Sequence, residues 1–221
     1  MSSAEDVRQV VGLAVTTMRQ GTDPEAWQAK AGSLDWTCWE TAEHVANVLF
    51  SYALRFGPAK PSAAGRVPFR LRGDRDDGPP TIFSADPEAG PENLLTILEG
   101  CGGLLASVRR TADPTAVAFH GYGASDPEGF AAMGVVETLV HTHDVAQGLG
   151  LEWSPPRGPC EKVLGRLFPH VNADGDAWEV CCGRRDAPPS RIVRGSPNGA
   201  GTADHARVAS SLSKRRRSAS F

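Results

Sequence analysis

The chain of 221 residues is 40% hydrophobic and 22% charged, a balance that suits one globular domain with something smaller attached. Its net charge of −3 decides nothing about nucleic acid, but nine of the 23 Lys and Arg and only two of the 26 Asp and Glu fall in residues 183–221, which leaves an acidic body and a basic tail. No apolar stretch approaches the roughly 20 residues needed to span a bilayer. The first residues lack a basic region followed by an unbroken apolar run, and five irregularly spaced cysteines suit reduced thiols. The expectation is a cytoplasmic protein with no membrane partner.

Helix-start signals organise the body. A first helix is expected over residues 4–19, with Val7, Val10, Val11, Ala14 and Met18 on one face. Asp23-Pro24-Glu25, Asp86-Pro87-Glu88 and Asp126-Pro127-Glu128 each offer an Asp cap, a Pro at the first helical position and a Glu near the positive helix end. Gly90-Pro91-Glu92 is a competing start for the third helix. Thr37 and Glu40 form a capping box that opens a second helix, 37–56, with Val45, Val48, Leu49, Tyr52 and Phe56 at helical spacing. A loop rich in Gly, Pro and charge at 74–80 precedes the third helix, 92–111. The fourth, 127–149, is stopped by Gly148 and Gly150.

Strand-like alternation is nearly absent, so the fold class is all-α, with a four-helix bundle over residues 1–150. Residues 151–182 are expected to add a short helix at 160–168 and a segment around Trp178 that could hold a strand. From Gly183 to Phe221 large apolar residues are sparse, and that region reads as a disordered basic tail.

The chemistry concentrates in Gly134-Val-Val-Glu-Thr-Leu-Val-His-Thr-His-Asp-Val145. Glu137 and His141 are four apart and share a helix face, Asp144 stays on it, and Phe130, Met133 and Val140 flank the stripe. His143 falls about 240° around the axis from Glu137 and points elsewhere. A carboxylate on a buried stripe needs a partner or a metal. A hydrogen-bonded Glu–His pair, an exposed helix edge and a metal site all satisfy that requirement. His44, inside the second helix among apolar neighbours, is by itself a core histidine or a ligand. If the second and fourth helices face each other, His44 meets Glu137 and His141. Two imidazoles and one carboxylate are a set typical of catalytic metal sites.

The segments TCWETAEHVANVL and GVVETLVHTHDVAQGLGLEW resemble the DinB-like superfamily of metal-binding four-helix bundles, and within it the mycothiol-dependent maleylpyruvate isomerase family. The matching positions are Trp36, Thr37, His44, Glu137, His141 and Asp144, and the resemblance covers about residues 5 to 170. It implies a divalent metal, zinc first among candidates, held by His44, Glu137 and His141. It also implies that Asp144 orients a ligand imidazole or a metal-bound water, and that mycothiol, a small-molecule thiol, attacks an electrophilic substrate. The implied activity is that of a thiol-dependent isomerase or transferase. A metal-binding helical module without turnover is the alternative, and a basic-tailed interaction protein is a third reading. The chain departs from the family after Cys182, where the C-terminal α+β domain of its members has no counterpart in the residue pattern.

Other signals carry less. The run Lys214-Arg215-Arg216-Arg217 reads as a solvated terminus in preference to a nucleic-acid site. Gly121-x-Gly123 reads as a turn, and His120, His170 and His205 as loop or tail residues. Trp27, Trp36, Trp39, Trp153 and Trp178 read as core and interface residues.

Overall fold

The computed structural model describes residues 1–65, 67–72, 77–121, 123–171 and 176–181. The expected disordered tail at 183–221 lies outside the described residues, as do Cys182 and most of the charged loop at 74–77. The described residues are mainly helical. Ser3 opens α1 (Ala4–Met18): its hydroxyl accepts from the Asp6 N–H at 3.1 Å, and an Asp6 carboxylate oxygen accepts from the Ser3 N–H at 2.7 Å. The second helix, α2 (Cys38–Leu54), begins on the same device, with Thr37 accepting from the Glu40 N–H at 3.1 Å and Glu40 accepting from the Thr37 N–H at 2.8 Å. A cap of this kind stabilises a helix by about 1 kcal/mol.

The competing start wins for α3 (Gly90–Thr111). Asp86-Pro87-Glu88 caps a separate 3-10 turn, Pro87–Ala89, because Gly90 takes a φ of +75° and breaks the path between turn and helix. Asp23-Pro24-Glu25 likewise yields only a 3-10 turn, Ala26–Gln28, where the fully buried Trp27 enters the core and its indole N–H bonds to the Gly21 carbonyl at 2.8 Å. A short hairpin absent from the sequence reading, β1 (Ala118–His120) with β2 (Gly123–Ser125), leads into α4 (Pro127–Leu149). The expected short helix is α5 (Arg157–Leu167). The expectation of a strand around Trp178 is corrected: the segment is a helix, α6 (Ala177–Cys181), and the Asp176 carboxylate accepts from the Trp178 and Glu179 N–H groups at 2.8 and 3.2 Å. That side-chain cap satisfies donors that a strand would have had to pair with a neighbour.

Both α1 and α2 pack against both α3 and α4. The apolar faces read from the sequence are the buried ones, with Val7, Val10, Val11, Ala14 and Met18 from α1 and Leu49 and Tyr52 from α2. α4 runs deepest and is buried without a break from Gly129 to Leu139. Gly134 allows this depth, since a Cβ there would stand 2.5 Å from a Leu105 methyl and 3.1 Å from one of Leu49. α5 then covers α4, burying Cys160, Val163, Leu164 and Leu167. Two of its cations, one turn apart, fasten it: Lys162 bonds Asp6 of α1 at 2.7 Å, while Arg166 bonds Glu128 and, at 3.1 Å, Asp126 at the start of α4.

Candidate metal centre

The pairing of α2 with α4 decides what the site is. His44 projects from the middle of α2 toward the α4 face that carries Glu137 and His141. The His44 Nε2 lies 3.9 Å and the His141 Nε2 lies 3.4 Å from the same oxygen of Glu137, Oε2. One ligand atom from each of the three residues falls within 4.8 Å of the others. The imidazole centroids are 5.2 Å apart and nearly perpendicular, at 87°. His141 is 1% exposed, while His44 and Glu137 keep 8% each, so the cluster is buried but not sealed.

Asp144, fully buried one turn beyond His141, places Oδ2 3.3 Å from the other nitrogen of that ring, Nδ1. His143 turns away and packs against Trp178 with centroids 5.5 Å apart. Of the stripe residues, Phe130 and Met133 are buried, and Val140 is half-buried against the core. His120 lies in β1 against Tyr52 and Phe130, and His170 is exposed in a turn.

Burial and charge set the protonation of the metal-free cluster. Removal from water and the neighbouring His141 push the His44 pKa down to about 4, with Glu137 opposing them only in part. Burial also works against a charged His141, but the carboxylates of Asp144 and Glu137 outweigh it and raise this pKa to about 9. At neutral pH a charged His141 between two carboxylates, beside a neutral His44, is therefore the favoured arrangement.

The donor set fits a divalent ion. Separations of 3.4 and 3.9 Å exceed the usual 2.7–3.2 Å of a hydrogen bond. They approach the roughly 3.3 Å edge of a tetrahedron whose donors each lie about 2.0 Å from zinc. Nitrogen and carboxylate donors also suit nickel, cobalt or iron.

Polar residues that sequence reasoning passed over flank His44 along α2. Asn47 accepts from the Ile82 and Phe83 N–H groups at 2.6 and 3.0 Å and donates to the Phe83 carbonyl at 3.0 Å. Glu43, next to His44, accepts from the Ala85 N–H at 2.6 Å. Segment 81–85 is thereby tied to α2. Glu43 and Asn47, four apart on α2 beside His44, were the available signal. On the α4 side, Gly32 has a φ of +55° and brings its backbone so close that a Cβ would stand 3.4 Å from Asp144 Oδ1 and 2.5 Å from Gln147 Oε1.

Comparison of the chain with protein-family models, with curated proteins and with solved structures gives no match. No helix among the described residues is long and apolar enough to cross a membrane.

Proposed function

We propose that this chain is a DinB-like four-helix bundle that binds a divalent metal, zinc first, through His44, Glu137 and His141, and uses it to activate a low-molecular-weight thiol of the mycothiol kind in an isomerase or transferase reaction. The observation that carries the metal reading is the convergence of two imidazoles and one carboxylate, from helices some ninety residues apart in sequence, with their donor atoms inside 4.8 Å. The packing of α1 and α2 against both α3 and α4 supports the bundle.

A divalent ion in such a site acts as a Lewis acid that lowers the pKa of a thiol. The protein's own residues hold and orient. Asp144 Oδ2, 3.3 Å from His141 Nδ1, would favour the tautomer that keeps the proton on Nδ1 and leaves Nε2 free to ligate beside Glu137. The slight exposure of His44 and Glu137 marks the side from which a small molecule would have to reach the cluster. The thiol reading rests on the resemblance of the two quoted segments. Burial raises Cys38, Cys101 and Cys160 to about 11 and leaves them poor nucleophiles, so none of these three is assigned the reacting thiolate. The electrophile is of a class that accepts a thiolate at carbon.

The test is calorimetric titration of mycothiol, with glutathione as comparison, into zinc-loaded and metal-free protein. Binding to the loaded form alone, with release of a proton and loss in Glu137→Ala, is the expected result. Equal binding with and without zinc contradicts thiol activation at the metal and leaves a metal-binding module without turnover.

A further inference from the structure

A ligating imidazole is normally oriented by a hydrogen bond on its other nitrogen. At His141 the Asp144 carboxylate faces that nitrogen, with Oδ2 3.3 Å from Nδ1. At His44 the Nδ1 is buried with no hydrogen-bond partner among the described residues. Something else must fix that ring, because a free χ2 rotation would swing Nε2 away from Glu137. The ring of Trp36 is against it, with centroids 5.0 Å apart and planes tilted by 52°. The same indole reaches His141, at 6.2 Å and 35°.

Trp36 is itself held at both ends. Its carbonyl accepts from the Ala31 N–H at 2.9 Å, its indole N–H donates to the Asp77 carbonyl at 3.2 Å, and the capping residue of α2 follows directly. With 5% exposure, it keeps water from the ring faces it covers. Trp27 is the contrasting case, a fully buried core residue stacked edge-on against Trp39 at 6.5 Å.

We propose that Trp36 is a positioning residue of the metal centre: its indole supplies by packing the orientation that His44 lacks from hydrogen bonding, holds both Nε2 atoms toward Glu137, and keeps one side of the cluster dry. This role rests on the metal reading above. Aromatic area, more than the indole N–H, does the orienting, so Trp36→Phe retains most of the effect while Trp36→Ala and Trp36→Leu lose it.

The experiment measures zinc affinity of the full chain by competition with a chromophoric chelator, with far-ultraviolet circular dichroism to confirm that each variant is helical. Trp36→Ala is expected to weaken zinc by about 10- to 100-fold, the range for losing an orienting partner. Trp36→Phe is expected to stay within a few-fold of the native chain. Should Trp36→Ala lose helicity, Trp36→Leu against Trp36→Phe carries the same comparison. Quenching of tryptophan emission by Co²⁺ gives a second readout, present in the native protein, kept in Trp178→Phe and absent in Trp36→Phe. Native affinity in the helical Ala or Leu variant, or quenching that persists in Trp36→Phe, overturns the role of Trp36 while leaving the site standing. Failure of the native chain to bind zinc removes the metal reading, and this role with it.

Discussion

His141 and His44 carry opposite pKa shifts a few ångströms apart, and the signs give the metal-free protein a particular pH profile. His141 is raised to about 9 from an ordinary 6.5, so its contribution to stability is complete below about 6.5 and is lost as pH rises through 9. His44 is lowered to about 4, so its neutral form favours the fold above about 6.5 and that contribution is lost as pH falls through 4. Metal-free protein is therefore expected to melt highest near pH 6.5, and lower on both sides. His141→Gln should flatten the alkaline limb and His44→Gln the acid limb, read from melting temperatures across pH 4 to 9. A profile unchanged in both variants would show that these rings do not titrate as their surroundings dictate. Metal binding must also displace the His141 proton, so zinc affinity should climb with pH until about 9.

Among the elements, α4 bears the most constraint. Gly134→Ala would drive a methyl into Leu105 and Leu49, and overpacking of this kind costs on the order of 1–3 kcal/mol. A melting temperature equal to that of the native chain would mean that α2, α3 and α4 are less tightly packed than described. α5 is held differently, by Arg166 on Glu128 and Asp126 and by Lys162 on Asp6. These groups are partly open to water, so Arg166→Gln is expected to cost only about 1 kcal/mol, a shift of roughly 2–4 °C. Much of this was legible in the residues. The capping box at Thr37, the Asp-Pro-Glu start at 126 and the apolar spacings of α1 and α2 are local, and local energetics decide them. The short hairpin and the helix at Trp178 were not legible, because segments of three to five residues take their form from what they pack on. Asp23-Pro24-Glu25 and Asp86-Pro87-Glu88 show the limit of a start signal, since each opens only one turn when the chain beyond it must bend. Glu137, His141 and Asp144 could be placed on one face from spacing alone. That His44 meets them depends on which helices face each other, which helical periodicity does not state. The grip of Asn47 and Glu43 on segment 81–85 was hidden for the same reason.

At the scale of the molecule, the cluster and every described element packed around it lie upstream of residue 182, and α5 belongs to the same packed body as α4. A chain cut after residue 182 should remain helical and bind metal, whereas one cut after residue 150 would uncover the α4 surface that Val163, Leu164 and Leu167 protect and should aggregate. Circular dichroism and light scattering on the two truncations check this, and loss of helicity in the longer one would tie the basic tail to the fold. Metal should be coupled to stability as well. A ligand at 100 times its dissociation constant stabilises the native state by about 2.7 kcal/mol, so chelation should lower the melting temperature by roughly 5–10 °C. An unchanged melting curve after complete metal removal would separate the ion from the fold.

The most direct measurement is elemental analysis of protein purified without a His tag, for the native chain and four single variants. The expected result is one divalent metal per chain in the native protein and in His143→Ala, whose ring lies against Trp178, and its loss in His44→Ala, Glu137→Ala and His141→Ala. Metal-free native protein that takes up no zinc on incubation, or metal loss in His143→Ala equal to that in His141→Ala, would contradict the assignment of the centre to His44, Glu137 and His141.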